Sequence, residues 1–573
     1  MRVVPAKTRR AAVRLLAGNK LFAAALIPAL LLRADAELGY RWQSWFNDSF
    51  NYVTSAVTMS LDPTRPSGYA VYLRVLEPLH SYALVTVSQH LMGMLVAVMI
   101  YALARHRFGV PAPIAVLATL PVLYDGFEIQ LEHLIMADTL FLFLVMAAVT
   151  LVLWQPRPSW RACLAAGVLL GLSGVVRSTG LPLLAVFGVY LLIVYLPGVF
   201  AAGPRGWAGR RALLAGVAAF AISFAIPVAG YEGWYDLQHG EFAMTDSTGI
   251  FLYSRVMTFA DCSQLRLTAD LLSLCTAVPP DKRPVAQAYI WAQSSPLNRF
   301  PAPKFSPLSN SLAEEFALKA IEAQPGAYAR TVLDDTWRSF AWNRTVFPNS
   351  ATYDEYLFGY HSLAIPAGHS RGGYPSAEAY YAHGDPVTSV VNPFAAAIRV
   401  YQRYVWLPGT VYGLILLIGL AGCAVAWRRA GGAALLPWGC SLALIVAPAA
   451  TAEFDYRYVL TATPFACLAA ALAFGSDTAG GRWLARRRRR GVAAAPGAAA
   501  APAPAVAPAV VPAVVPGASP GASPGVSSGR SPRGGAGVPG GAADGPGGVA
   551  GRGFGHGAVQ ASDDQRDLAP DAP

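Results

Sequence analysis

The chain has 573 residues, of which 54% are hydrophobic and only 13% charged, against about 25% charge in an ordinary soluble domain. Mean hydropathy is +0.40 although the stretch from Gly491 onward is poor in large apolar side chains, so the remainder must carry long lipid-soluble runs. These figures exclude a soluble protein and predict an all-α polytopic membrane protein. The net charge of +11 does not point to nucleic acid, because the arginines sit in short clusters between apolar runs, where membrane topology accounts for them.

Apolar runs of roughly 17 to 25 residues predict about ten transmembrane helices, starting near residues 12, 80, 110, 134, 162, 180, 212, 403, 432 and 457. Every second connection is basic: Arg105 to Arg107 around His106, then Arg157 and Arg161, then Arg205, Arg210 and Arg211, then Arg428 and Arg429, then Arg482 with Arg486 to Arg490. Lys and Arg accumulate in short cytoplasmic loops, so these connections and both termini are expected inside a cell membrane. Residues 35–79, 125–133, the turn Arg177 to Gly180, the long stretch 232–400 and residues 451–456 are then expected outside. The run Leu21 to Leu32 is read as a retained anchor, although Arg9, Arg10 and Arg14 before it and Ala34, Asp35 and Ala36 after it also fit a cleavable signal peptide.

The outward stretches carry the chemistry-bearing residues. In RWQSWFNDSFNYV, Asp48 lies among aromatic residues suited to a membrane interface; its simplest role is to cap a short helix. In YDGFEIQLEHLIMADTLF, Asp125, Glu128, Glu132, His133 and Asp138 converge on the bilayer edge. Glu128 and Glu132 share a helix face, and Asp138, inside an apolar run, must face the protein interior. Arg177 in GLSGVVRSTG runs against the inward bias of the other short-loop arginines and needs an anionic partner, either a lipid phosphate or one of these acids. Glu453, Arg457 and Tyr458 open the last span in TAEFDYRYVL, where Glu453 and Arg457 are spaced to pair on one helix face.

Residues 232–400 are expected to form a mainly helical extracytoplasmic segment, with Ser311 to Glu314 as a capping box opening a helix. Cys262 and Cys275 lie in that segment, where oxidising conditions favour a disulfide, while Cys163, Cys423, Cys440 and Cys467 fall in apolar spans. No His or carboxylate cluster has metal-ligand spacing, so no obligatory metal or other cofactor is expected. The chain divides into a membrane domain, 1–479, and a basic then Ala/Pro/Gly-rich cytoplasmic tail, 480–573, expected to be disordered because it cannot bury enough apolar area.

Taken in order, FNDSFNY, PSGYAVYL, MADTLF, GVVRSTGLPLL, AIEAQPGAY and RYVLTATP resemble the C-type integral-membrane glycosyltransferases over about residues 10–475. That superfamily holds the protein O-mannosyltransferases and the lipid A aminoarabinose transferases. The resemblance implies a polyprenyl-phosphate sugar donor, an extracytoplasmic acceptor (envelope glycan, lipid or protein), and a first-loop carboxylate as general base, a position Asp48 takes here. It implies that Arg177 and Arg457 stabilise the leaving lipid phosphate, that Glu132 and Asp138 complete a polar crevice, and that His133, Glu453 and Tyr458 stand with them as substrate contacts. This chain carries a single Asp followed by Ser49 where some relatives have adjacent acids. A secondary transporter or lipid flippase would also use intramembrane charges such as Asp138 and Arg177, but it predicts an internal repeat that the two halves of the sequence lack. A non-catalytic scaffold would tolerate loss of Asp48.

Overall fold

The computed structural model describes residues 19–200, 203–300, 302–366, 370–426 and 432–476. Arg9, Arg10, Arg14, Arg428, Arg429, the cluster at Arg482 to Arg490 and the tail from residue 480 lie outside the described residues.

Helix α1 (Lys20–Gly39) runs into strand β1 (Tyr40–Arg41), then into α2 (Asn47–Thr58) and α3 (Gly68–Leu76). Next come α4 (Tyr82–Ala102), three short pieces α5 (Ala112–Leu117), α6 (Leu120–Tyr124) and α7 (Gly126–His133), and the apolar helix α8 (Asp138–Leu153). Helices α9 (Trp160–Val176), α10 (Leu183–Val199) and α11 (Pro204–His239) follow. A polar segment then contributes α12 (Thr248–Val256), the single turns α13 (Ala269–Leu272) and α14 (Ala288–Trp291), α15 (Pro307–Ala323), α16 (Pro325–Arg338), α17 (Ser350–Asp354), α18 (Ala377–Ala382) and strand β2 (Ser389–Val390). Helices α19 (Phe394–Tyr404), α20 (Gly409–Ala426), α21 (Leu435–Thr451) and α22 (Tyr456–Leu472) complete the described chain.

The protein is polytopic and almost wholly helical, with one two-residue pair of strands. Among the described residues, Tyr82–Arg107, Ser178–Val199 and Arg205–His239 are long and apolar enough to cross a membrane by length and composition, and the pair Phe394–Tyr404 and Gly409–Ala424, bent by 60°, makes a fourth if counted as one span. Asp138–Leu153, Trp160–Val176 and Leu435–Thr451 are shorter apolar helices. The span expected near residue 110 is not one continuous helix: Pro121 cannot donate to the helical ladder, and α5, α6 and α7 follow one another as separate pieces. Residues 126–133, expected as an outward connection, form a helix in which every residue is buried. Helix α1 runs through Asp35 to Gly39, so the first loop begins later than expected.

Close helix contacts rest on small residues. Gly167 and Gly171 are one turn apart on α9 and face α11, where an added Cβ would stand 2.3 Å from the Phe220 carbonyl oxygen and 2.4 Å from that of Phe224. In lipid, apolar surface alone does not drive helices together, so such close backbone approach supplies the packing. The polar segment has its own core, built on Ile250, Tyr253, Met257 and Phe316, and Cys262 and Cys275 are joined there by a disulfide with Cα atoms 6.2 Å apart. Its long helix starts at Pro307, capped by the Ser306 hydroxyl accepting from the Ser309 N–H; Ser311 lies inside the helix and opens nothing. Strands β1 and β2 pair antiparallel, Tyr40 opposite Val390, and tie the first loop to the end of the polar segment.

Candidate active site

The first turn of α2 is fixed without Asp48. The Phe46 N–H donates to the Ser49 hydroxyl at 2.9 Å, so the capping role the sequence suggests for Asp48 falls to its neighbour. The Asp48 carboxylate instead lies between two guanidinium groups, Oδ1 at 2.7 Å from Arg65 Nη1 and Oδ2 at 2.8 Å from Arg457 Nη1. Arg65 comes from the loop between α2 and α3, and Arg457 from the first turn of α22. Asp455 accepts from Arg457 Nε at 2.9 Å and from the Tyr356 hydroxyl at 2.5 Å. Arg177, leaving α9, forms an ion pair with the fully buried Asp138 at the start of α8. The Tyr458 ring joins the two halves, with the Arg177 and Arg457 guanidiniums 5.5 and 5.6 Å from its centroid.

Each arginine is therefore matched by an acid: Arg65 with Asp48, Arg457 with Asp48 and Asp455, Arg177 with Asp138. Burial by itself would raise the Asp48 carboxyl, but Arg65 and Arg457, with the hydrogen bond from Arg457, hold it well below the usual carboxylate range. The backbone N–H of Asn47 donates to Glu355 at 3.0 Å and its side-chain amide donates to the same carboxylate. Burial, opposed by the Asn47 N–H, pushes Glu355 up to about 7.

A cavity of about 1090 Å³ is lined by Asn47, Arg65 and Asp455 and, from the polar segment, by Glu241, Trp291 and Glu314. Asp48, Arg177, Arg457 and Tyr458 line it, and Asp138 stands behind Arg177. The other sequence candidates do not line it. Glu453 accepts from the Gln287 N–H at 2.9 Å and makes no pair with Arg457, because it precedes α22 and shares no helix face with it. Glu132 pairs with Arg33 at 2.6 Å and with His90 Nδ1 at 2.8 Å. It reaches them because Gly93 on α4 has no Cβ; an added one would lie 1.8 Å from Glu132 Oε1. His133 donates from Nε2 to the Tyr40 carbonyl at 2.8 Å. Helix α7 ends before Asp138, so Glu132 and Asp138, close in sequence, serve two different polar clusters.

Three site residues escape the sequence reading. Arg65 is another outward arginine and carries the same signal that singles out Arg177. Asp455 stands immediately before an apolar run, the position of a helix N-cap, and its side chain does accept from the Arg457 N–H. Tyr356 has no local signal; it enters only because the polar segment folds back. Among the described residues, one trio brings metal-ligating atoms within 4.8 Å of one another, Glu37, His90 and His133, and none of the three lines the cavity.

Residues 74–241 match the family described as dolichyl-phosphate-mannose-protein mannosyltransferase. The matched stretch contains Glu132, Asp138 and Arg177 and stops short of Asp48, Arg65 and Arg457, so the resemblance to C-type glycosyltransferases stands on that part of the chain. No curated protein matches the chain. Among solved structures, it is similar to the protein O-mannosyltransferase Pmt1-Pmt2 complex of S. cerevisiae bound to the sugar donor, at 16% identity over 44% of this chain and 37% of that one, with a TM-score of 0.32. It is similar to ArnT from Cupriavidus metallidurans bound to undecaprenyl phosphate, at 12% identity over 80% of this chain and 78% of that one, TM-score 0.32. It is also similar to the archaeal oligosaccharyltransferase AglB from Archaeoglobus fulgidus in complex with an inhibitory peptide and a dolichol-phosphate, at 12% identity over 84% of this chain and 52% of that one, TM-score 0.35. The chain thus spans little more than a third of the mannosyltransferase and about half of AglB. Similarity at these scores carries neither substrate nor activity.

Proposed function

We propose that the protein is a membrane glycosyltransferase that moves a sugar from a polyprenyl-phosphate carrier to an extracytoplasmic acceptor, working on the side of the membrane where the polar segment lies. The observation that supports this reading most is a cavity whose wall holds one ionised carboxylate between two arginines, with a third arginine across a tyrosine ring. A transferase using a lipid-phosphate donor needs both parts: a base for the acceptor hydroxyl, and fixed positive charge where the leaving phosphate develops its negative charge.

In this mechanism the acceptor oxygen attacks the anomeric carbon and passes its proton to Asp48. The bond from that carbon to the phosphate oxygen breaks, and its electron pair leaves with the carrier phosphate. Arg177 and Arg457 receive the developing charge, and Tyr458 keeps their planes oriented. In the resting site Asp48 is a weak base, because Arg65 and Arg457 hold its carboxyl far below the usual range. An entering phosphate competes for Arg457 and so returns basicity to Asp48 only when donor is present. Asp138 acts through Arg177 and is a positioning residue. The matching family's description names a dolichyl-phosphate sugar, a donor of the same chemical class.

The test is transfer itself. Purified protein incubated with radiolabelled polyprenyl-phosphate sugars and a membrane extract should yield labelled acceptor together with free polyprenyl phosphate. Labelled donor that crosses a vesicle membrane chemically unchanged would overturn the reading in favour of a transporter or flippase.

A further inference from the structure

A second polar cluster lies apart from the cavity. Glu37 on the last turns of α1, His90 in the middle of α4 and His133 at the end of α7 point at one another. His90 Nε2 and His133 Nδ1 are 3.3 Å apart, and Glu37 Oε1 is 3.7 Å from the first and 3.8 Å from the second.

The far nitrogens settle which atoms carry protons. His90 Nδ1 is 2.8 Å from Glu132 Oε2, on a carboxylate that is itself paired with Arg33 at 2.6 Å, so Nδ1 donates. His133 Nε2 is 2.8 Å from the Tyr40 carbonyl oxygen, which can only accept. Both neutral rings therefore present lone pairs toward each other. Glu37 Oε1 is buried and has no hydrogen-bond partner. With these tautomers the two imidazole nitrogens and Glu37 Oε1 offer three ligand atoms to one point, all within 4.8 Å of one another, which is the arrangement a bound cation uses.

A single proton does not engage all three. It can bridge the two nitrogens, but at 3.7 and 3.8 Å Glu37 Oε1 lies beyond hydrogen-bond reach of either. A point equidistant from the three atoms lies about 2.1 Å from each, within the range of zinc–nitrogen and zinc–oxygen bonds.

We propose that Glu37, His90 and His133 bind a zinc ion. Two imidazoles and one carboxylate suit Zn²⁺, and Glu132 and the Tyr40 carbonyl orient the two rings as outer partners of metal-bound histidines do. The ion would tie α1, α4 and α7 together. It would also steady the approach to Asp48, since the Ser44 N–H donates to the His133 carbonyl at 3.1 Å and the Ile135 N–H to the Ser44 carbonyl at 3.1 Å. No spacing in the sequence predicts such a site, because its ligands come from three separate helices.

Full-length protein without a polyhistidine tag, purified in detergent without chelator, should carry about one zinc per chain by elemental analysis. Chelated protein reloaded with Co²⁺ should show the intense visible absorption of low-coordinate cobalt. His133→Gln and Glu37→Gln should lower zinc occupancy at least tenfold; should either variant fail to fold, the wild-type metal content and cobalt spectrum still decide. Folded wild-type protein that takes up neither metal overturns the proposal, and so does full zinc occupancy in both folded variants. Neither readout depends on transferase activity, so this proposal and the functional reading fail separately.

Discussion

Asp48→Asn removes the negative charge and the proton-accepting oxygen while keeping the side chain's shape. Its cost to the fold should be small. Arg457 keeps Asp455 at 2.9 Å and Arg65 keeps Asp62 at 3.9 Å. The three side chains involved are 14 to 20% exposed, so residual charge is partly screened. We expect a loss of about 1 to 2 kcal/mol, below the roughly 3 to 5 kcal/mol for breaking a fully buried pair. The cost to transfer should be much larger, about 10²-fold or more in kcat, because a general base in this position contributes on that scale.

The assay is initial-rate transfer from a radiolabelled polyprenyl-phosphate sugar, with donor binding measured separately and unchanged in order of magnitude. The pH profile adds a second, independent check. Since kcat/KM reports groups of the free enzyme, and Asp48 is held well below the usual carboxylate range there, the wild-type profile should show no acid limb from Asp48 above about pH 4. An acid limb centred near 7, where burial places Glu355 behind Asn47, would show that a group other than Asp48 limits the reaction and would count against Asp48 as the base. Near-normal turnover in folded Asp48→Asn would refute the mechanism outright.

Two further outcomes follow from the structure and one from the charge pattern of the sequence. Thiol labelling of folded protein without reductant should spare Cys262 and Cys275, and replacing both by Ser should cost the polar segment on the order of 3 kcal/mol; full labelling of both would show that the bridge is absent. Burial raises Glu355 to about 7 and Glu453 to about 8 from an ordinary 4.5, so the stability they favour is complete below about pH 4.5 and is lost as pH rises through 7 to 8, on the order of 3 kcal/mol for Glu355. The thermal midpoint should therefore fall between pH 5 and pH 8 and flatten in Glu355→Gln with Glu453→Gln, while Asp48, shifted the opposite way, acts only at lower pH; an unchanged slope in the double variant would contradict the shifts. Topology reporters fused after Arg161, Arg211 and Arg429 should report the cytoplasm and one near Ser309 the outside, and an outside signal at Arg211 would overturn the orientation expected from the basic loops.

What the sequence makes legible depends on whether the physical constraint is local. Apolar length is local, so most helices and the polar segment can be read in advance. The break at Pro121 is local too, yet its consequence, a buried α7 in place of an exposed connection, depends on what packs around it. Proximity along the chain also misleads at Glu132, because the turn between α7 and α8 sends it and Asp138 to different clusters. The His90 and His133 pair shares no element, so no spacing rule reaches it.

The cavity wall is partly legible for a different reason, which extends beyond Arg177. At the membrane edge an arginine without an anion is expensive, so each outward arginine demands an acid. Applied to Arg177, that requirement asks for a lipid phosphate or one of the nearby acids, and the structure supplies Asp138. Applied to every outward-facing arginine near a span, it also asks for partners for Arg65 and Arg457, and the nearby acids are Asp48 and Asp455, which the structure does pair with them. The requirement also explains why Asp455 and not Glu453 serves. An acid at the helix N-cap is carried into the first turn beside Arg457, whereas Glu453, two residues earlier, is still in the connection and is taken by the Gln287 N–H. Matching charges on one face of the membrane therefore reads this site further than motif spacing does. The same balance underlies the proposed chemistry: a phosphate entering beside Arg457 would compete with Asp48 for its positive charge, and the proposed base is the carboxylate whose hold on that arginine it weakens.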